Sequence, residues 1–567
     1  MKLHETLLHF SQQGIRMRLD EKDGDVLRIS APQSAITPEV QQFIKQRKSE
    51  ILELLREVNV KAAGDSLPSV KSAPQDRYKP FPLTDMQHAF WVGRSGMWEL
   101  GDVANHGYQE IEGDNLDVHR LNVSLQQLIE RHDMLRAVVL ADGQQQVLEQ
   151  VPPYQIKVLD LRGKDQATVD AGIDSIRQEL SHQVLPSDQW PLFEFRATLL
   201  DQERVRLHVS YDLQVFDAWS LFRLFDEWFQ LYQHPQLELK PLNLLFRDYV
   251  LALKAVQKTE LYEQSKAYWF DRIESLPPAP SLPLAKQPKE LKQHVCKRHL
   301  AQLDRTHWER LKQRATEAGL TPSGVLLAAF AEILTVWSKS PRFTINLALF
   351  NRLPLHPQVN DIIGDFSSVI LLTVDNSRAE SFTDRSARLQ KQLWNDLEHR
   401  HVSGVEVVRE LARRKGTAPS AMPIVFTSTL GFESLGQETL SLSHFGEQVY
   451  GISQASQAWM DVQVIEERGA LMFNWDVVEG LFPEGLIDAM FAAFDHFLRR
   501  LATSEAAWFE TERQLVPPDQ LAQRDLVNST VAPVSEQMLH TLFAAQVKAR
   551  GHEAAIIASQ CTLTYKE

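Results

Sequence analysis

The chain's 567 residues, 43% apolar and 24% charged, describe a folded protein too long for one hydrophobic core, since single cores stop growing at about 250 to 300 residues. A net charge of −14 argues against a nucleic-acid partner, which calls for a basic face. The only cysteines, Cys296 and Cys561, lack CxxC or Cys/His spacing, so neither a disulfide framework nor a metal centre is expected and a reducing cytoplasm fits.

Residues 1–60 read as a small α+β unit. A short helix carries Leu3, Leu7 and Leu8. An alternating strand follows (Ile15, Met17, Leu19), then the turn Asp23-Gly24-Asp25 and a second strand to Ile29. Thr37 offers a helix cap with Pro38 at the first helical position, and Val40, Phe43, Ile44, Ile51, Leu52 and Leu55 recur at helical spacing. So small a core invites pairing with a partner or with a second copy of itself. Residues 61–79, rich in Pro, Ser, Ala and Lys, read as an exposed linker. The N-terminus turns polar too early for a secretory segment, and no run approaches the roughly 20 apolar residues that span a bilayer, so no targeting or membrane segment is expected.

From about 80 to 510, helices and strands alternate. Helices are expected at 117–131, after Asp217, at Pro322–Trp337 and near Pro483–Leu501; strands at "RVRLHVSY", "FTINLALF", "SSVILLTV", "PIVFTSTL", "AWMDVQVI" and "ALMFNWDVV". Two α/β lobes, 80–275 and 276–510, fit this mixture. Residues 511–567 read as a second linker followed by the opening of a further domain.

The strand "RVRLHVSY" alternates strictly, and its parity groups Arg206, His208, Ser210 and Asp212 on one face. Asp212 and Asp217 form Asp-x-x-x-x-Asp, a spacing also present at Asp20/Asp25, Asp160/Asp165 and Asp165/Asp170, so spacing alone proves nothing. The position does carry information, because chemistry in α/β folds gathers at strand ends. His208 and Asp212 also form His-x-x-x-Asp, the arrangement in which an acyltransferase histidine deprotonates a nucleophile. Gly does not follow and no His-His pair exists, so the amide-forming version of that motif is incomplete.

Taken together, "FPLTDMQHAFWVGR" (81–94), "RHDML" (131–135), "DLQVFDAWS" (212–220), "LPPAPSLPL" (276–284), "TPSGVLLAAFAEILTVWS" (321–338), "GDFSSVILL" (364–372) and "PIVFTS" (423–428) resemble, in order, the motifs of nonribosomal peptide synthetase heterocyclization domains. Residues 1–60 resemble TubC-type docking domains, and the tail looks like the opening of an adenylation domain. The resemblance implies two chloramphenicol-acetyltransferase-like lobes in a V-shaped pseudo-dimer around a tunnel. It implies amide formation between a carrier-bound acyl thioester and carrier-bound Cys, Ser or Thr, then cyclodehydration to a thiazoline or oxazoline. Phosphopantetheine would arrive on an upstream and a downstream carrier protein, no cofactor being bound by this chain. The upstream synthase would present a C-terminal peptide to the docking domain by strand addition.

On the same resemblance, Asp461 matches the cyclodehydration aspartate, Thr427 the hydroxyl that orients it, and Asn346 an active-site asparagine. Gln457 matches a glutamine of the same segment, although Ala455-Ser456 stands where the family usually shows Thr-Pro. Asp217 and Arg352 match a buried structural ion pair. Asp212 is expected to line the tunnel, and Ser220 either to touch substrate or to pack the following helix. Two other readings stay open: an amide-only acyltransferase using His208, and a non-catalytic docking scaffold.

Overall fold

The structure, a computed structural model, describes residues 67–94, 103–291, 294–416, 422–430, 441–531 and 536–567, with strands at 16–19 and 27–30 and residues 44, 45 and 48. It divides into two units, Met1–Leu515 and Val516–Glu567. Near the N-terminus β1 (Arg16–Leu19) and β2 (Leu27–Ser30) pair antiparallel, with Met17 opposite Ile29. The expected turn at 23–25 and most of the helix after Thr37 lie outside the described residues. The end of the expected linker is tied down: Val70 donates to the Leu355 carbonyl, Ser72 to that of Asn243, and the Ala73 amide to Asp248.

A small three-stranded sheet holds β3 (Phe81–Pro82), β5 (Ala137–Val139) and β6 (Gln144–Val147). A five-stranded sheet runs in the order β14 (Glu447–Gln454), β4 (His106–Asp114), β9 (Arg204–Asp212), β8 (Phe193–Leu199) and β7 (Lys157–Asp160). On one face of it Ile111, Leu207, Val209, Phe193 and Phe195 pack with helices α2 (Val118–Arg131) and α4 (Ala218–Gln233). Helix α3 (Gln166–Leu180) sends Arg177 to Glu110 on the other face. Strand β14 is absent from the sequence expectations. "EQVYGISQ" is polar, is interrupted by Gly451 and lies at a sheet edge, so it carries little apolar signal. It belongs to the second half of the chain but completes the sheet of the first.

The six-stranded sheet runs β10 (Cys296–Leu303), β16 (Ala470–Val478), β15 (Met460–Glu467), β13 (Ile424–Ser428), β11 (Arg342–Phe350) and β12 (Ser367–Asp375). β11, β13 and β15 are mutually parallel and the outer pairings antiparallel. One face, with Phe426, Val462, Phe473 and Trp475, is sealed by α5 (Pro322–Trp337) and α7 (Leu486–Thr503). Helix α5 starts where the sequence says it should: Thr321 caps it by accepting from the Gly324 amide, and Pro322 loses no hydrogen bond at the first turn. Its residues 324–334 are all buried, which explains a run apolar on every side.

The first unit continues to Leu515, past residue 510, because Arg513 reaches back to Glu332 and to the Asn376 carbonyl. In the second unit, helices at Pro518–Asn528 and Leu539–Arg550 bury no residue, and a hairpin pairs Ala554–Ile557 with Thr562–Thr564. No single helix among the described residues is long and apolar enough to cross a membrane.

Candidate active site

The free face of the six-stranded sheet carries two rows of side chains set by register. One row reads Asn346, Val425, Asp461, Asp476, Arg298; the next reads Ala348, Thr427, Gln463, Asn474, Leu300. Because alternate residues of a strand share a face, the polar members of these rows gather over a cavity of about 580 Å³. Its other walls come from Gly107, Gln109 and Tyr211 of the five-stranded sheet, from α4, and from helices α1 (Asp85–Gly93) and α6 (Gly404–Lys415).

Asp461 is the focus. Its Oδ2 accepts from Gln463 Nε2 at 2.7 Å and lies 3.5 Å from Ser453 Oγ, while Oδ1 has no hydrogen-bond partner among the described residues. Burial, followed by the neighbouring Asp476 carboxylate, pushes the Asp461 carboxyl up to about 6. A carboxyl poised there takes up and returns a proton near neutrality at low cost.

Asn346 and Thr427 share the cavity with it. Asn346 Nδ2 donates to the Met422 carbonyl at 2.7 Å, which leaves its amide oxygen as the remaining acceptor. Thr427 sits opposite Gln463, diagonal to Asp461, and no hydrogen bond joins it to that carboxylate; Gln463 makes that bond instead, with Ser453 Oγ 3.5 Å away. Gln457 lines the cavity from the β14–β15 turn in a left-handed conformation, φ 64°, and its Nε2 has no hydrogen-bond partner among the described residues. In the same turn Ser456 is clamped at two points: its amide donates to Asn105 Oδ1 and its hydroxyl accepts from Asn105 Nδ2, each at 3.1 Å.

Asp212 and Ser220 do not line the cavity. Tyr211 faces it, so the next residue along the strand points to the opposite side of the sheet. There Asp212 is fully buried, paired with Arg94 and accepting from the Gln214 amide at 2.9 Å. Ser220, equally buried, donates to the Gly364 carbonyl at 2.7 Å and accepts from Arg352 at 2.8 Å. Asp217 contributes to the cavity wall but is 1% exposed. Its carboxylate caps α4 through the Ser220 amide at 2.7 Å and meets Arg352 in a two-point pair at 2.8 and 3.3 Å. Arg352 also donates to the Val359 and Ile362 carbonyls and stacks 3.8 Å over Phe366.

His208 shares the face of Asp212 and is likewise shut off from the cavity. Its Nδ1 bonds with the Tyr108 hydroxyl at 2.8 Å and its Nε2 with Thr198 Oγ1 at 2.9 Å, and burial lowers it to about 4. Both ring nitrogens are therefore engaged inside the sheet, away from the cavity.

Sequence reasoning missed Gln463, Ser453, Asn474, Asp476 and Arg298. The signal was present: Asp461-x-Gln463 and Asn474-x-Asp476 are polar pairs at period two inside apolar strands, and such residues need partners.

The condensation domain family model matches residues 79–523, and the TubC N-terminal docking domain model residues 4–57. The EpoB NRPS cyclization-docking bidomain from Sorangium cellulosum is 40% identical with a TM-score of 0.74, the match covering 90% of this chain and 100% of that one. Pyochelin synthetase PchF of Pseudomonas aeruginosa is 37% identical over 87% of this chain, and phenyloxazoline synthase MbtB of Mycobacterium tuberculosis is 37% identical over 90%. The chain spans only 27% and 36% of those two relatives' lengths. It belongs to the condensation-domain family, as a nonribosomal peptide synthetase cyclization domain, an enzyme, preceded by a TubC N-terminal docking domain.

Proposed function

We propose that this chain joins a carrier-bound acyl or peptidyl thioester to carrier-bound cysteine, serine or threonine and then cyclises the product to a thiazoline or oxazoline. The observation that carries the second step is Asp461, a carboxyl held at about 6 in the wall of the cavity that Asn346 and Thr427 also line. In that step the side-chain thiol or hydroxyl attacks the new amide carbonyl and a C–S or C–O bond forms. Asp461 takes the nucleophile's proton and passes it to the former carbonyl oxygen, and the amide N–H proton, released as the C=N bond forms, supplies the second, so that oxygen leaves as one water per ring and no oxidant is needed. Asn346 and Gln457 hold the amide during attack, and Thr427 borders the same space.

The two large sheets, each with its own apolar cluster, support a reading as two chloramphenicol-acetyltransferase-like lobes with the cavity as the tunnel between them. Phosphopantetheine arms of an upstream and a downstream carrier protein would bring the substrates there. The β1–β2 hairpin supports strand addition by a C-terminal peptide of the upstream synthase. On this reading residues 511–567 are a linker and the start of an adenylation domain.

Reconstitution tests it. With acyl and cysteinyl groups loaded on carrier proteins, the product should have lost one water beyond amide formation; amide alone, with the wild-type chain, overturns the reading. His208→Ala is expected to leave amide formation within about threefold of wild type per folded molecule, because both ring nitrogens are spent inside the sheet; loss of the amide with the fold intact would return His208 to the chemistry. Removing residues 1–60 should lower transfer from the upstream synthase while cyclisation from freely supplied carriers persists, and unchanged transfer would refute the docking role.

A further inference from the structure

Behind Asp461, on the side away from Asn346, the row continues into a charged pair. Asp476 stands directly opposite Asp461 in the β15–β16 register, and Arg298 directly opposite Asp476 in the β10–β16 register. Arg298 binds Asp476 at two points, 2.7 and 2.5 Å, and the Asp476 side chain is 1% exposed. Asp476 in turn accepts from the Ser453 amide at 3.0 Å and the Ser453 hydroxyl at 2.6 Å. That hydroxyl accepts at 2.9 Å from Gln463 Nε2, the amide that also holds Asp461. The pair therefore reaches Asp461 both through space and through a continuous set of hydrogen bonds.

Resting on the cyclisation role of Asp461, we propose that the Arg298–Asp476 pair acts as a balanced charge behind the reacting carboxyl, which makes Asp476 a positioning residue for the cyclodehydration step and not for amide formation. Two like carboxylates on adjacent strands repel, so ionised Asp476 makes Asp461 hold its proton more tightly; Arg298 limits that effect by neutralising Asp476. Among the described residues the other titratable or charged groups that border Asp461 or its cavity are Cys296, two residues from Arg298 on β10, Tyr211 across the cavity, His88 on α1, Arg409 on α6 and Asp217 at the start of α4. β13 faces the cavity with Val425 and Thr427 and β14 with Ser453, while Tyr450 of β14 lies within electrostatic reach of the Arg298–Asp476 pair. The Cys296 thiol is itself pushed up by burial and the Tyr211 phenol up to about 12, so neither carries charge near neutrality. Asp217 is already paired with Arg352, and Arg409 is bonded to His88, so the charge set directly opposite Asp461 in the strand register is the pair.

The test is the pH profile of each step, followed on carrier-bound substrates by product mass. Asp476→Asn keeps shape but leaves Arg298 without its carboxylate, so the cation falls to Asp461 and the limb of the cyclisation profile moves down by about one unit. Arg298→Gln leaves Asp476 unneutralised and moves the limb up by a similar amount. The double variant returns it toward its starting place, and Arg298→Lys leaves it nearly unmoved. Amide formation stays within about threefold throughout. Limbs that do not move, that move in the same direction, or that move together with loss of amide formation overturn the inference. Asp461→Asn is the control that separates the two failures. If that variant still cyclises, the assignment of Asp461 falls; if it is inactive in cyclisation while Asp476→Asn leaves the limb in place, only the role of Asp476 falls.

Discussion

Asp461→Asn is expected to stop the reaction at the uncyclised amide and, in the same protein, to raise stability at neutral pH. The first half follows from the proton count: an amide side chain can neither take the nucleophile's proton nor return it, so cyclisation should fall by about 10²–10⁴ while amide formation persists. The second half follows from burial. The carboxyl is held at about 6 in the folded chain against 3.8 for a free aspartate. A folded value above the unfolded one means that the fold binds the proton more tightly, so stability is greatest below about pH 4 and declines as pH rises toward 6. Two units correspond to about 3 kcal/mol at most, a penalty the asparagine variant does not carry. Melting curves across pH 4 to 8 should therefore coincide at the acid end and separate above it, the variant being the more stable. Parallel curves would show that Asp461 is solvated in the folded chain. In wild type the cyclisation rate should rise with pH through about 6 and level off above it, since the carboxylate form begins the step.

Asp217→Ala is expected to fail differently, by unfolding. Removing it strands the Arg352 guanidinium, 6% exposed, among the Val359 and Ile362 carbonyls, and also deletes the cap of α4. An uncompensated buried charge costs about 3–5 kcal/mol. Lost soluble yield and a lowered denaturation midpoint should appear together, and whatever folded protein remains should keep its ratio of cyclised to uncyclised product. Replacing both partners, Asp217→Leu with Arg352→Met, should recover a large part of the loss, because it removes the stranded charge. Urea titration of the single and double variants measures this. A shifted product ratio with full stability would instead place Asp217 in the chemistry.

These contrasting outcomes for two aspartates show what the sequence made legible and what it did not. Alternation in "RVRLHVSY" correctly grouped His208, Ser210 and Asp212 on one face. It could not say which face of a sheet buried on both sides borders the cavity, and the answer turned on Tyr211 facing inward. Helix α5 was legible because its cap, its proline and its apolar run agree. Strand β14 was not, because an edge strand needs little apolar content and its partner, β4, lies more than 300 residues earlier in the chain. Within the site, Asn346, Thr427 and Asp461 came from the likeness to a known family. The row that links Asp461 to Asp476 and Arg298 depends on strand register, which no single segment encodes.

Strand β14 also sets where this chain can be cut. The protein engineer who exchanges front and back halves between synthetases would place the seam near residue 276, where proline-rich "LPPAPSLPL" invites it. Such a seam takes Glu447–Gln454 from one parent and its bonding partner, His106–Glu112, from the other, so the foreign strand must match β4 along its length, including the register shift between Gln448 and Tyr450. The same borrowed segment brings Ser453 and the turn bearing Gln457 with it. A chimera joined there is hybrid at its reaction centre as well as at its seam, and compatible halves are those whose 447–458 segments can be traded as a unit.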